Sequence, residues 1–473
     1  VSLCGIAFLF SQIANPAFAK AADGQAKIVN PAFAKAADGQ AKIVNQKSSI
    51  VNPMLLALHK STIVENPPKI VITGSKSESN RLLLLQALYP ELQILNVSNS
   101  DDSEVMQKAL KSTSNLIDIS HAGTAMRFLT AFFATQEGRE ITITGSDRMK
   151  ERPIQVLVEA LNALGADISY LETEGCPPLK INGKLLSKEH VSLKANVSSQ
   201  YISALLLIAP KLKNGLELTL EGEITSVPYI NMTLDLLDQI GVKTSFENNK
   251  INISPLETLN AHQQPLTVES DWSSASYFYS IVALSPVGTE ITLSSYKKDS
   301  LQGDSVLSEI YTDFGVETKF GENAITLLKK AECQLKTITC ELKNAPDIAQ
   351  TIAVTSFGLG IGCFLTGLHT LKIKETDRLV ALKTELEKLG AQVSITENSL
   401  SLEPNQLFSS EAKAQSNKGL GEVIATYHDH RMAMAFAPLG LKTNLQIEDA
   451  MVVSKSYPTF WDDLKTVGFK ITK

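Results

Sequence analysis

The chain has 473 residues, 44% hydrophobic and 20% charged, with a formal net charge of −6. That length exceeds one compact core, so two domains are expected, and the acidic balance without a long Lys/Arg block argues against nucleic acid as a partner. The five cysteines (Cys4, Cys176, Cys333, Cys340, Cys363) are scattered without CxxC spacing. They suggest neither a disulfide framework nor a zinc site, and they fit a reducing, cytoplasmic setting.

Residues 1–53 stand apart. Asn15 to Val29 recurs identically as Asn30 to Val44, a fidelity that a structural repeat rarely keeps. The stretch reads as a leader or an artefact, and it is expected to pack poorly. Its LCGIAFLF run and NPAFA site mimic a signal peptide, but a basic n-region is missing, so secretion is the lesser reading. Met54 is a candidate start, because ordinary alternating sequence begins soon after it, at Lys69 to Thr73.

From there a small polar cluster opens six times onto an apolar run. The six are GSKSESNRLLLLQAL from Gly74, HAGTAMRFLTAFFA from His121, SSQYISALLLIAP from Ser198, DWSSASYFYSIVAL from Asp271, APDIAQTIAVTSFG from Ala345 and YHDHRMAMAFAPLG from Tyr427. A helix apolar all round is buried. One that begins with Ser, Thr, Asp or Gly offers free N–H groups and a positive dipole end, and so attracts anions. The expected ligand is small and polyanionic.

A second pattern alternates with the first. Amphipathic runs end in an apolar residue and a glycine, then lead into an alternating strand, at Gly165, Gly241, Gly315, Gly390 and Gly468. The glycines recur about every 75 residues, above the usual solenoid period. Glycine just past a helix supplies the left-handed C′ conformation. Six α/β units, each with one apolar and one amphipathic helix, fit after residue 53 and pack around shared cores.

The clusters differ in chemistry. Lys76, Ser77 and Arg81 can gather an anion, although GSKSESNR lacks P-loop spacing and is equally a capped helix start. Gly123 permits close backbone approach. The alternating charges from Arg148 to Arg152 read by default as a surface ion-pair loop. Ser198, Ser199 and Gln200 are harder to dismiss, because polar groups beside a buried helix need partners. Lys372 to Arg378 reads cheaply as a solvated helix start, whereas Asp429, His430 and Arg431 at the mouth of a buried helix are costly unless ligand-paired. His428 and His430 lack a third His or Cys nearby, so a metal is not expected. Asp347 is a capping residue by default and a general base if a substrate hydroxyl lies within reach.

In their order and spacing, GSKSESNR, AGTAMR, RMKERPI, SSQYISALL, SVPY, PDIAQTIA, KETDRL and DHRMAM resemble the EPSP synthases (3-phosphoshikimate 1-carboxyvinyltransferases) of the enolpyruvyl transferase family, over about residues 54 to 473. The resemblance implies an α/β fold of two domains, each of three βαβαββ units around buried parallel helices. The expected division is residues 54–74 plus 269–473 for one domain and 75–268 for the other. The implied reaction, in the shikimate pathway of aromatic amino acid biosynthesis, moves the enolpyruvyl group from phosphoenolpyruvate to the 5-hydroxyl of shikimate 3-phosphate. It passes through a tetrahedral intermediate and releases phosphate. Neither metal nor organic cofactor is implied, since protein cations stabilise the charge. A monomer is expected, with no membrane or nucleic-acid partner.

Carried onto this sequence, the resemblance gives Lys76 both substrates. Ser77, Arg81, Ser198, Ser199, Gln200, Ser226, Tyr229 and Thr370 would hold shikimate 3-phosphate, with Asp347 and Lys374 bracketing its reacting hydroxyl. Gly123, Arg148, Gln200, Arg378, Arg431 and Lys455 would hold phosphoenolpyruvate, where arginine offers bidentate recognition. Asp347 would be the general base, Glu375 the proton donor to carbon, and His430 an orienting or relaying group beside Lys76 and Lys374. For Glu375 to donate, its pKa must be raised, whereas adjacent cations lower it. His121 and Thr370 stand where many members have Asn, and Phe128 where Pro is common. Two rivals are a sister transferase acting on UDP-N-acetylglucosamine and a non-catalytic anion-binding protein of the same fold. KETDR and GSKSESNR disfavour the first. The joint presence of Lys76, Asp347, Glu375 and Arg431 disfavours the second.

Overall fold

The structure, a computed structural model, describes residues 54–194, 198–222, 224, 227–260, 264–407 and 421–473. The duplicated segment and Ser226 lie outside them, as do the expectations that fall on residues 1–53.

All six apolar runs are helices: α1 (Lys76–Leu88), α2 (Gly123–Ala134), α3 (Ser199–Ile208), α4 (Trp272–Leu284), α5 (Ala349–Leu359) and α6 (His430–Phe436). With no polar face to present, they sit inside. Every residue of α4 is buried, and α3 buries all but Gln200. The amphipathic helices Gln155–Leu164 and Phe460–Val467 cover the outside and end at Gly165 (φ 107) and Gly468 (φ 118), both left-handed caps. Gly241, Gly315 and Gly390 also have positive φ.

One strand order recurs. Leu116–Asp118 pairs parallel with Glu140–Thr144, which pairs antiparallel with Leu179–Asn182, and that strand antiparallel with Asp167–Tyr170. The same order of pairings runs through the sheets that begin at His190–Lys194 and at Thr337–Glu341. In the sheet of Glu422–Ile424, Leu445–Ile447 and Lys470–Thr472, the missing strand is Leu56–His59, drawn from the other end of the chain.

The buried side chains form two cores. Residues from Leu82 to Val268 make one, and Leu56, Leu58, Ile70 and Ile72 join residues from Trp272 to Phe469 in the other. The chain passes between them twice, side by side. Gly74 bridges Ser270, and the Ser75 N–H donates to the Glu269 carbonyl at 2.7 Å. Among the described residues no helix is long and apolar enough to cross a membrane, and the four described cysteines are free thiols.

The double crossing is tight at Gly74, where an added Cβ would stand 1.9 Å from the Asn96 carbonyl oxygen. Backbone cannot yield as a side chain can. Gly74→Ala is therefore expected to cost about 3 kcal/mol in urea unfolding, at the upper end of overpacking penalties. Gly138 (φ +76) would meet nothing within 4 Å, so Gly138→Ala should cost only the left-handed penalty, about 1–2 kcal/mol.

Candidate active site

The helix starts are built for anions. Ser75, Ser198 and Asp429 cap α1, α3 and α6, accepting from the N–H groups of Glu78, Gln200 and Arg431 at 3.5, 3.4 and 2.8 Å. The start of α2 at Gly123 and the turn Pro346–Ile348 before α5 have no side-chain cap, which leaves N–H donors for a ligand. These starts line one cavity of about 220 Å³ walled from both cores. Seven cationic side chains (Lys76, Arg81, Arg127, Arg152, Lys374, Arg378, Arg431) line it against three carboxylates (Asp102, Asp347, Glu375). The excess is opposite in sign to the chain's net charge.

On one wall the charges balance. Arg378, 2% exposed, donates to Asp429 at 2.6 Å, to Asp347 at 2.8 Å and to Glu375 at 2.8 Å. Lys374 lies 3.4 Å and Arg431 3.3 Å from the Asp347 carboxylate, and Arg431 also donates to the Asp347 carbonyl at 3.2 Å. Burial alone would raise the pKa of Asp347, but Arg431, Lys374 and Arg378 outweigh it and hold the carboxyl below its usual range. For Glu375 burial is likewise outweighed, chiefly by Arg378, with Arg152 and Lys76 adding to it. Both are carboxylates at neutral pH. Burial, with Lys76 beside it, drives His430 well below the usual imidazole range, so it is neutral, and neither ring nitrogen has a hydrogen-bond partner among the described residues.

On the opposite wall the cations are uncompensated. Arg81 is spent on neutral acceptors: Thr233 Oγ1 at 2.8 Å, the Ser77 carbonyl at 2.7 Å and Ser203 Oγ at 2.9 Å. Its guanidinium lies over the Phe128 and Tyr229 rings. Arg127 donates to the carbonyls of Gly123 and Pro153 and leaves Nε unpartnered. Burial lowers both to about 10, which still leaves them charged. The Arg152 side chain makes no hydrogen bond or ion pair among the described residues and packs so closely on Gly123 that a Cβ there would meet its guanidinium at 2.6 Å. Lys76 alone has an acid, Asp102 at 3.2 Å.

The cavity gathers Lys76, Ser77, Arg81, Gly123, Ser198, Ser199, Gln200, Tyr229, Asp347, Thr370, Lys374, Glu375, Arg378, His430 and Arg431 of the expected set. Thr370 offers a shielded hydroxyl without a partner. Arg148 and Lys455 are not among the residues that line this cavity. They line an adjoining cleft of about 650 Å³ that shares Arg152 and Glu375 with the cavity. Arg148 is half exposed and bound to Glu151 at 2.9 Å, one helical turn on, and Lys455 donates to the His428 carbonyl at 2.7 Å. His121 lines that cleft too, its Nδ1 2.8 Å from Ser146 Oγ.

Sequence reasoning missed Asp102, Thr124, Arg127 and Arg152. Thr124 holds Gln200, whose amide donates to its hydroxyl at 3.1 Å. A signal existed for Arg127, which follows Gly123 by four and so reaches back one turn to its carbonyl.

A second buried acid lies behind Arg431. Asp304 accepts from Ser273, leaves Oδ1 unpartnered, and is pushed up to about 7 by burial and then by Asp347. A raised pKa in the folded state means a contribution to stability fully present below the unfolded value, near 4, and lost as pH rises through about 7. Asp304→Asn should remove that loss, so its stability advantage over the parent grows from about pH 4 to 7 and then levels. Urea midpoints measured across that range give the slope.

Comparison with known proteins identifies the family. The family model described as EPSP synthase (3-phosphoshikimate 1-carboxyvinyltransferase) matches residues 111–464. A 3-phosphoshikimate 1-carboxyvinyltransferase of Bacteroides fragilis is 47% identical over 405 residues, covering 85% of this chain and 95% of that one. The Haemophilus influenzae protein of the same name is 35% identical over 439 residues, covering 85% and 96%. Among solved structures, an EPSP synthase from Acinetobacter baumannii superposes with a TM-score of 0.70 at 20% identity, covering 89% of this chain and 100% of that one, which speaks to the fold. The chain belongs to the EPSP synthase family.

Proposed function

We propose that this chain transfers the enolpyruvyl group of phosphoenolpyruvate to the 5-hydroxyl of shikimate 3-phosphate, releasing phosphate, as a monomer in the cytoplasm. Family membership supports the reaction, and one observation carries it to this site: seven cations against three carboxylates around a single cavity. Two phosphorylated carboxylic acids supply the missing negative charge. The two cores are read as the family's two domains, with residues 54–74 and 269–473 in one and 75–268 in the other.

The residue roles follow from the charge asymmetry. The uncompensated wall of Arg81, Arg127, Ser198 and Ser199 suits the phosphate and ring of shikimate 3-phosphate, with Tyr229, Thr370 and Gln200 completing it. The wall of Arg378 and Arg431 suits phosphoenolpyruvate, with Lys76 between both and Gly123 beside the ligand. Arg152 joins this set, and Arg148 and Lys455 enter from the adjoining cleft. As the hydroxyl oxygen bonds to C2, its proton passes to Asp347 and the C3 methylene takes a proton. Loss of phosphate with a C3 proton then restores the double bond.

The protein's own cations make Asp347 a weak base and keep Glu375 from being an acid. Bound phosphates and carboxylates engage Arg378, Arg431 and Lys374 and so relieve that depression, raising both pKa values together. Glu375 becomes a proton donor only in the loaded site.

Asp347→Ala is expected to leave shikimate 3-phosphate binding intact and lower turnover by roughly two to four orders of magnitude, the range for a general base. Parent-like turnover would remove Asp347 from the chemistry. Phosphate release from phosphoenolpyruvate, with shikimate 3-phosphate and UDP-N-acetylglucosamine offered separately, tests the reaction itself. Release with only the second acceptor would overturn the reading.

A further inference from the structure

The segment from Ala425 to Arg431 brings Asp429, His430 and Arg431 to the cavity through an awkward backbone. Tyr427 (φ 54) and His428 (φ 56) are consecutive non-glycine residues in the left-handed region, which is unfavourable for any residue with a Cβ. Surrounding contacts must hold them there.

The helix Arg378–Lys388 supplies those contacts at both ends of the segment. Arg378, at its start, binds Asp429. Seven residues on, two turns along the same face, lies Glu385, fully buried. One of its oxygens accepts the Ala425 N–H at 3.1 Å, and the other accepts the Tyr427 hydroxyl at 2.6 Å. Lys388 balances the charge at 2.8 Å. A buried glutamate paired only with its own helix would be plain scaffolding. Here two acceptor contacts fall on the strained segment, and the His428 carbonyl in turn anchors Lys455.

We propose that Glu385, acting through Tyr427, is a positioning residue that fixes Arg431, His430 and Lys455 for the enolpyruvyl-donating substrate; this rests on the function proposed above. It touches no substrate. Loosening it should harm phosphoenolpyruvate far more than shikimate 3-phosphate, whose anchors sit on the other wall.

Two variants test this, Glu385→Gln and the milder Tyr427→Phe, which deletes one hydroxyl from a partly exposed ring. Amide exchange across Ala425 to Arg431 should quicken by about tenfold while α4 and α5 exchange as in the parent. KM for phosphoenolpyruvate should rise about tenfold, and that for shikimate 3-phosphate stay within about twofold. Unaltered exchange in the segment, uniform acceleration through the core, or equal shifts of both KM values would overturn the proposal. A parent protein without turnover, with local loosening still seen in the variants, would sink the functional reading and leave the clamp standing.

Discussion

The site is organised around one buried guanidinium. Arg378 is taken out of water, a cost of several kcal/mol for any ion, and is compensated only because three carboxylates from separate segments meet it. Asp347 precedes α5, Glu375 precedes the helix that Arg378 begins, and Asp429 caps α6. Their shared cation fixes three chain segments relative to one another. Asp429 also spends its other contacts on the α6 N-terminus, so this pairing and the start of α6 stand or fall together.

That balanced wall explains why the opposite wall is left unbalanced. If carboxylates also neutralised Arg81, Arg127 and Arg152, a ligand would have to displace them and gain little. Instead Arg81 and Arg127 rest on carbonyls, hydroxyls and ring faces, contacts that hold a side chain in place without cancelling its charge, and Arg152 packs on Gly123. The positive potential stays available. Burial lowers the pKa of Arg81 and Arg127 only to about 10, so their charge survives at neutral pH.

Much of this was legible in the sequence, for a physical reason. A run such as WSSASYFYSIVAL has no polar face and can only be buried, and a glycine after an amphipathic run has one favoured conformation there. The fold and the helix starts therefore followed from local pattern. Direction was harder. Arg148 and Arg152 share one charged stretch, and nothing local says that the first pairs with Glu151 in solvent while the second lies against Gly123. Asp102 carries no local signal, because its partner Lys76 is on another helix. Glu385 was invisible for the same reason: its contacts lie 40 and 42 residues away.

The electrostatics also sort the groups that can exchange a proton from those that cannot. Asp347 and Glu375 stay ionised because their neighbours enforce it. His430 differs. Burial and the cations around it keep its imidazole neutral, and no hydrogen bond engages either nitrogen among the described residues. A neutral imidazole carries one N–H and one lone pair, so it can give a proton at one atom and take one at the other. Buried polar atoms left without partners are costly, which favours whatever ligand group satisfies them. A phosphate or carboxylate beside His430 would meet that need and, as an anion, favour the protonated ring.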